Sequence, residues 1–156
     1  MTYDHLTPEY ILSEVAKLQY LYGLKYEIRY ADSRNEQDST ESVAEHIYGM
    51  HILCQYFLPL EDPEGSWDKA KIMEMITLHD MDEIETGDMI GYHKTQAMID
   101  AEGDAMRVVV GRSPHHMQLR MADLINEYEA QEGPEVRFVK ALDRFEPQIH
   151  LFNPRG

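Results

Sequence analysis

The stretch MEMITLHDMDEIETGD, residues 73–88, decides how the rest of this chain is interpreted. An apolar segment at helical spacing leads into four ionisable side chains, which are His79, Asp80, Glu83 and Asp88. Residues three and four apart share one face of an α-helix, so a helix that continues through this stretch places Glu83 beside both His79 and Asp80. Side chains of these types either hold a metal ion or form the solvated end of an acidic helix. The stretch alone leaves both interpretations open.

A further histidine lies upstream, in a second segment with apolar periodicity. The segment ESVAEH, residues 41–46, places His46 about one turn into this predicted helix. His46 on one helix and the His79–Asp80 pair on the next supply the nitrogen and oxygen ligands that Mn, Co, Fe or Zn accept. The sequence therefore predicts one divalent metal ion shared by two helices.

Together the two segments carry a family pattern. ESVAEH followed at this separation by HDMDEIETGD resembles the HD-domain phosphohydrolases, in particular the branch that contains bacterial 5′-deoxynucleotidases and their eukaryotic HD-domain-containing relatives. A histidine followed by an HD pair is a common pattern, but ESVAEH combined with HDxxExxxGD is specific. The resemblance covers the chain from its first predicted helix to Asp143. It implies a metal-dependent phosphohydrolase, with a 5′-nucleotidase acting on (deoxy)nucleoside 5′-monophosphates as the favoured activity.

The resemblance also implies a metal-ligand set. It consists of His46, His79, Asp80 and Asp143 around one divalent ion, with positions left open for water and a phosphate oxygen. The ligand types leave the identity of the ion open among Mn, Co, Fe and Zn, with Mg also possible.

Asp143 has alternatives when the residues are considered alone. It lies beside Leu142 in an apolar helical segment, where a carboxylate is costly unless it is paired or ligates a metal. An ion pair with a nearby basic side chain satisfies it as well, and the candidates are Arg137, Lys140 and Arg144. Spacing also leaves Asp123 as a competing last ligand, whereas the resemblance implies Asp143.

Catalytic and substrate-binding residues follow from the same resemblance. Glu83, at the HDxxE position, is the candidate general base, and Asp88, at the GD position, acts beside the leaving oxygen or orients the substrate. Their alternatives are a surface carboxylate for Glu83 and a turn cap for Asp88. Arg29 matches a phosphate-binding arginine, and Tyr30 follows it where family members often have tryptophan. Lys94, soon after Asp88, is a further candidate for binding phosphate.

Periodicity and capping signals predict an all-α protein, a single compact HD-domain bundle of about six helices over residues 1–156. The predicted helices are 8–22, from Thr40 or Ser42 to Pro59, from a Ser66 cap through His79–Asp80, 95–110, 114–130 and one from Pro134 that Pro147 bends or ends. The metal site then forms from helices at about 40–58, 66–86 and 134–147. Residues 24–40 are expected to form an ordered loop over this site or a mobile lid.

Composition excludes several classes of function. A chain of 156 residues with 43% apolar content forms one ordinary domain. Its net charge of −15 and its 14 basic residues argue against a nucleic-acid polymer as partner, but they allow a small nucleotide held by a metal. No apolar run is long enough for a membrane span, and the N-terminal residues do not resemble a signal peptide. With Cys54 as the single cysteine, we expect a cytoplasmic protein.

Two other functions and an assembly state complete the expectations. One alternative is a nucleoside triphosphate or alarmone hydrolase, although Ile84 stands where an alarmone hydrolase of this superfamily usually has an acidic residue. The other is a non-catalytic, metal-stabilised regulatory module, against which the presence of Glu83 and Asp88 argues. Ten tyrosines, ten methionines and the apolar residues Ile149, Leu151 and Phe152 predict a homodimer.

Overall fold

The computed structural model describes residues 7–29, 41–88 and 95–152. Within these ranges the chain forms seven α-helices and no strand, which confirms the all-α class. The helices are α1 Pro8–Leu21, α2 Val43–Glu61, α3 Lys69–Leu78, α4 Glu83–Thr86, α5 Gln96–Arg112, α6 His115–Ala130 and α7 Pro134–Leu151. Six of them correspond to the predicted helices, and the one-turn α4 is additional. That residues 1–156 form a single domain stays a prediction.

Two helix starts show why the local sequence predicted most helix boundaries correctly. The Thr7 hydroxyl accepts a hydrogen bond from the Tyr10 amide at 3.2 Å, and Pro8 occupies the first helical position. Ser42, rather than Thr40, caps α2 and forms a reciprocal capping box with Glu45. This cap sets the start of α2 and thereby places His46 one turn into the helix.

The start of α3 differs from the prediction. Asp68, not Ser66, is the N-cap, and its carboxylate accepts a hydrogen bond from the Lys71 amide at 3.0 Å. Ser66 instead donates from its hydroxyl to Asp62 at 2.9 Å, and the Trp67 amide donates to the same carboxylate at 2.8 Å. Because Asp62 draws residues 66 and 67 into this closed turn, the helix begins later than a serine cap would allow.

The end of α3 also corrects an expectation. A helix continuous through Glu83 was predicted, but α3 ends at Leu78 and a separate turn leads to α4. The Ile76 carbonyl accepts a hydrogen bond from His79 Nδ1 at 3.0 Å, and the Met81 and Glu83 amides bond three residues back rather than four. The tightened turn changes the direction of the chain after His79, whose own amide still bonds four residues back to Met75.

The prolines near two helix ends do not stop those helices. α2 continues past Pro59 to Glu61, and α7 continues past Pro147 to Leu151. Of the two predicted effects of Pro147, a bend or an end of the helix, the end is wrong, and the bend stays a prediction. Each proline removes one backbone hydrogen bond. The residues just before them, Leu58 and Glu146, are both buried, so packing of α2 against α7 outweighs this loss.

One hydrophobic core joins the described helices. α7 packs on α2 and α3, and α6 also packs on α3, so α3 lies centrally. The largest completely buried apolar side chains include Met50, Ile72, Met75, Ile76 and Leu124. Cys54 belongs to this core, and burial raises the pKa of its thiol, as suits a packing residue. In the part of the chain that the structure describes, no helix has the length and apolar character that crossing a membrane requires.

Candidate metal centre and adjoining cavity

Three elements bring four predicted ligands together. His46 lies on α2, His79 and Asp80 lie in the turn after α3, and Asp143 lies on α7. One nitrogen or oxygen from each residue falls within 4.8 Å of all the others. His46 Nε2 is 3.2 Å from Asp143 Oδ1, and His79 Nε2 is 3.0 Å from Asp80 Oδ2. This group, called the ligand cluster below, has the donor types of a mixed nitrogen and oxygen metal site.

The orientation of His79 suits a metal ligand. Its Nδ1 lies 3.0 Å from the Ile76 carbonyl, which can only accept a hydrogen bond, so Nδ1 carries the proton. When the ring is neutral, its Nε2 therefore presents a lone pair to the ligand cluster. This atom is buried and has no hydrogen-bond partner among residues 7–29, 41–88 and 95–152. A buried ring nitrogen that faces two carboxylates without such a bond fits a site where a cation replaces the proton.

His46 is oriented in the same sense by a different partner. Its ring is completely buried, and its Nδ1 lies 2.7 Å from Glu146 Oε2. Because a carboxylate accepts, Nδ1 donates a proton to Glu146, while Nε2 faces the ligand cluster at 3.2 Å from Asp143 Oδ1. Sequence analysis missed Glu146. The available signal was its position three residues after Asp143, which places both side chains on one face of α7.

The histidines and carboxylates of the ligand cluster shift one another's pKa values. Burial acts to lower the pKa of His79, but the carboxylates of Asp80 and Asp143 outweigh it and hold this pKa well above its usual range. The pKa of His46 is also raised on balance, because hydrogen bonds to Asp143 and Glu146 outweigh its burial. Burial acts to raise the pKa values of Asp80 and Asp143, yet the two histidines hold both below their usual range. The cluster thus stabilises positive charge at its centre, which suits a divalent cation.

Glu83 lies beside the cluster in an unusual environment. Burial, followed by the charges of Asp80 and Asp88, raises its pKa to about 10. Its Oε2 is buried without a hydrogen-bond partner in the described ranges of the chain. Burial and the neighbouring negative charges thus keep the Glu83 carboxyl group protonated. This part of the site contains more anionic groups than cations. A bound cation would relieve that imbalance.

A cavity of about 720 Å³ adjoins the ligand cluster. Glu83 and three of the four cluster residues, His79, Asp80 and Asp143, form part of its lining. The apolar side chains that line it from α5 and α6 are Ile99, Met106, Val110 and Ile125. The volume falls within the range of small-molecule sites, and the lining combines an ionic part with an apolar part.

Two further cavity residues were not predicted as site residues. Tyr128 was missed, and Lys140 was considered only as an ion-pair partner of Asp143. Lys140 Nζ lies 3.8 Å from the centre of the Tyr128 ring, and that ring lies 5.8 Å from the His79 ring. Burial, followed by the charges of Asp143 and Asp80, raises the pKa of Tyr128, so its hydroxyl keeps its proton. Lys140 could have been found from its position one turn before Asp143.

The remaining predicted residues lie in different places. Asp123 is exposed on α6 and is not part of the ligand cluster. Arg29 is buried, with Nε 3.8 Å from Asp88 Oδ1. Its Nη1 lies 3.4 Å from Glu41 and 3.9 Å from Glu146. Tyr30, Lys94 and much of the loop predicted over the site lie outside the described residues.

Comparison with known proteins places these features in a family. A family model described as HD domain matches residues 22–155. The 5′-deoxynucleotidase hdd1 of Schizosaccharomyces pombe is 30% identical over 121 residues, which cover 74% of this chain and 59% of that protein. The 5′-deoxynucleotidase HDDC2 of Bos taurus is 30% identical over 115 residues, which cover 72% of this chain and 53% of that protein. This chain therefore spans less than two thirds of the length of both relatives.

Solved structures agree on the architecture. The "Predicted metal-dependent phosphohydrolase" of Magnetospirillum magnetotacticum MS-1 superposes with a TM-score of 0.71 at 26% identity, over 90% of this chain and 69% of that one. The PH0347 protein of Pyrococcus horikoshii OT3 superposes with a TM-score of 0.66 at 21% identity, over 85% and 73% of the two chains, and shows the fold alone. From the match over residues 22–155 and the helical architecture, we conclude that this chain belongs to the HD-domain family.

Proposed function

We propose that this protein is a metal-dependent phosphohydrolase that releases phosphate from nucleoside 5′-monophosphates, with deoxynucleotides favoured. The observation that carries the proposal is the ligand cluster opening onto a cavity of about 720 Å³ that also contains Glu83. The names of the relatives, 5′-deoxynucleotidases from Schizosaccharomyces pombe and Bos taurus, support the same reaction class.

His46, His79, Asp80 and Asp143 are proposed to hold one divalent ion. Two imidazole nitrogens favour Mn, Co, Fe or Zn over Mg, which prefers oxygen ligands and retains its waters. Such an ion, when bound, supplies Lewis-acid chemistry at a phosphoryl oxygen and lowers the pKa of water. The residues contribute the orientation, because both histidines already present Nε2 to the same point.

Glu83 is proposed to take the proton of the attacking water. Its buried Oε2 has no hydrogen-bond partner among the described residues, so this atom is available to water or substrate. Its raised pKa of about 10 reflects burial first and then crowding with Asp80 and Asp88, and the positive charge of a bound metal ion would lower this pKa toward the range of a general base. Asp88 is proposed to act beside the leaving oxygen or to orient the substrate.

The cavity suggests how a mononucleotide is held. We place the phosphate at the ligand cluster and the nucleoside against Ile99, Met106, Val110 and Ile125. Arg29, proposed as a phosphate ligand, faces Glu41, Asp88 and Glu146, so contact with phosphate requires it to leave at least one carboxylate. The proposed phosphate contacts of Tyr30 and Lys94 rest on sequence alone.

Phosphate release from a nucleotide panel tests the proposal. The protein is incubated with Mn²⁺ or Co²⁺ and with deoxynucleoside monophosphates, ribonucleoside monophosphates, deoxynucleoside triphosphates or an alarmone, and chromatography identifies the products. We expect inorganic phosphate and deoxynucleosides from the monophosphates. His79→Ala should abolish both bound metal and release, whereas His115→Ala, at an exposed histidine of α6, should retain both.

Other products would assign a different function. Triphosphate or pyrophosphate as the leaving product would identify a hydrolase of longer phosphate groups. Metal-loaded protein that releases no phosphate from any of these nucleotides would be a metal-stabilised binding module.

A homodimer is also proposed. Large apolar side chains follow the outer face of α2 at helical spacing and are each more than half exposed, namely Tyr48, Ile52, Tyr56 and Leu60. The Phe57 and Phe145 rings, 5.6 Å apart, connect this face to α7, where Ile149 and Phe152 are also exposed. A continuous apolar face on two packed helices suits self-association of two identical copies.

A further inference from the structure

Glu146 is a buried carboxylate that no step proposed above uses. It is 6% exposed, and its Oε2 lies 2.7 Å from Nδ1 of His46, a ring with no exposed surface. This contact is on the side of the imidazole opposite to Nε2, the atom that faces the ligand cluster. Glu146 is therefore placed to act on a metal ligand without itself being one.

The glycine at position 49 is explained by the same carboxylate. Gly49 lies within α2, one turn after His46, in a helical conformation that alanine adopts more readily than glycine. A Cβ at this position would lie 3.0 Å from both Cγ and Cδ of Glu146, and closer still to Oε1. Helix geometry does not require glycine here, but the position of the Glu146 side chain does.

The neighbouring charges hold Glu146 in place rather than forming a second metal site. Glu146, Glu41 and His150 also come close together, as metal ligands would. A cation already accompanies the two carboxylates, because Arg29 lies 3.4 Å from Glu41 and 3.9 Å from Glu146. His150 Nδ1 lies 3.2 Å from Glu41. The carboxylate of Glu146 is thus fixed between Arg29 and His46, and its short contact is with His46.

We infer that Glu146 is a positioning residue that fixes the tautomer and the ring orientation of His46 so that Nε2 faces the metal site, and that Gly49 provides the space for its carboxylate. Without this acceptor, Nδ1 loses its buried partner, and the ring can rotate or carry its proton on Nε2, where it cannot bind a cation. The inference rests on the proposed metal site.

Cobalt binding by the full chain tests this role. Co²⁺ is titrated into metal-free protein, and its dissociation constant is measured together with the visible absorption spectrum, which reports the ligand geometry. We expect Glu146→Ala to weaken Co²⁺ binding by on the order of 10–100-fold and to change the spectrum. Glu146→Gln keeps the shape and an acceptor oxygen, so it should retain much of the affinity and the spectrum.

Gly49→Ala provides an independent perturbation with a matched control. It should weaken Co²⁺ binding in the wild-type background, because the added methyl group displaces the Glu146 carboxylate. In the Glu146→Ala background the same change should have no further effect on binding, since the group that it displaces is gone. Gly111→Ala, in α5 with no atom within 4 Å of the added Cβ, should leave Co²⁺ binding unchanged.

The outcomes separate this inference from the proposed function. Wild-type protein that binds no Co²⁺, or binds it equally well after His79→Ala, would overturn the metal site itself. If that site is intact, a wild-type dissociation constant and spectrum in Glu146→Ala would overturn the positioning role. An equal loss of affinity on Gly49→Ala with and without Glu146 would overturn the part assigned to Gly49.

Discussion

At the scale of single residues, the site combines anionic groups that are unstable together without a cation. Burial raises the pKa of Glu83, and the charges of Asp80 and Asp88 raise it further. Two histidines offset part of the negative charge by holding protons at raised pKa values. The roles of individual side chains can be separated by experiment, because each is proposed to contribute to metal binding, proton transfer or charge balance.

Glu83→Gln should separate catalysis from binding. The amide has nearly the same shape but cannot accept the proton, so we expect metal and nucleotide to bind while kcat falls by on the order of 10²–10⁴-fold. Single-turnover kinetics and nucleotide titration measure the two effects. Glu85→Gln, at an exposed residue of the same short helix, should leave kcat unchanged. A near-normal kcat in Glu83→Gln would move the search for the base to Asp88.

Arg29→Ala should affect stability as well as substrate binding. Its side chain lies near three carboxylates and is largely buried, so its removal leaves negative charge uncompensated in the interior, at a cost of about 3–5 kcal/mol. If Arg29 also binds phosphate, KM should rise. Thermal unfolding and steady-state kinetics measure the two effects, with Arg29→Lys as the variant that keeps the charge. A raised KM with an unchanged Tm would make Arg29 a phosphate ligand only.

At the scale of elements, two helix ends and one helix centre place the site. His46 follows the capping box of α2, and His79 is the C-cap residue of α3. Asp143 lies in the middle of α7, which packs on both other helices. Small shifts in where α2 starts or α3 ends would therefore separate the ligands.

Ser42→Ala should destabilise the protein through the start of α2. Removing the hydroxyl leaves the Glu45 amide without its cap, at a cost of about 1 kcal/mol, which corresponds to a fall in Tm of roughly 2–4 °C at this chain length. Differential scanning calorimetry measures the change. Ser13→Ala, at an exposed position inside α1, is the control and should not lower Tm. An unchanged Tm in Ser42→Ala would show that packing alone defines this helix start.

At the scale of the whole molecule, the proposed metal ion would join distant parts of the chain. The ligand cluster connects α2, the end of α3 and α7, which are far apart in sequence. An ion that binds only the folded state stabilises that state by mass action.

Removing the metal should therefore lower Tm. Treatment with a chelator is expected to lower the Tm of wild-type protein and to leave the Tm of His79→Ala unchanged, because that variant has already lost a ligand. Elemental analysis verifies the loss of metal. If the metal is gone and the wild-type melting curve has not moved, the ion does not join these helices.

Self-association should depend on the exposed face of α2. Ile52→Glu places a charge in the centre of that face and is expected to convert a dimer to a monomer in multi-angle light scattering. Leu119→Glu changes an equally apolar, exposed residue on α6 and should leave the mass unchanged. A monomeric wild-type protein at micromolar concentration would end the dimer proposal.

Local sequence determined the class of this protein, most helix boundaries and the chemistry of the site. The signals for these features act within a few residues, so they can be recognised without a structure. They are helical periodicity, the Thr7 and Ser42 caps, and the prolines at the starts of α6 and α7. The family pattern in ESVAEH and HDMDEIETGD identified three of the four cluster residues for the same reason, because those ligands belong to short segments.

Tertiary structure alone decided which residues surround those ligands. Glu146 meets His46 across 100 positions of sequence, Gly49 is required only because α7 brings Glu146 against α2, and Arg29 is held by carboxylates from three segments. Packing likewise allows α2 and α7 to continue past their prolines. At the end of α3, the His79 side chain donates a hydrogen bond to the Ile76 carbonyl. Residues that depend on contacts between distant segments have no periodic or local signal, since their energy comes from neighbours that only the folded chain supplies.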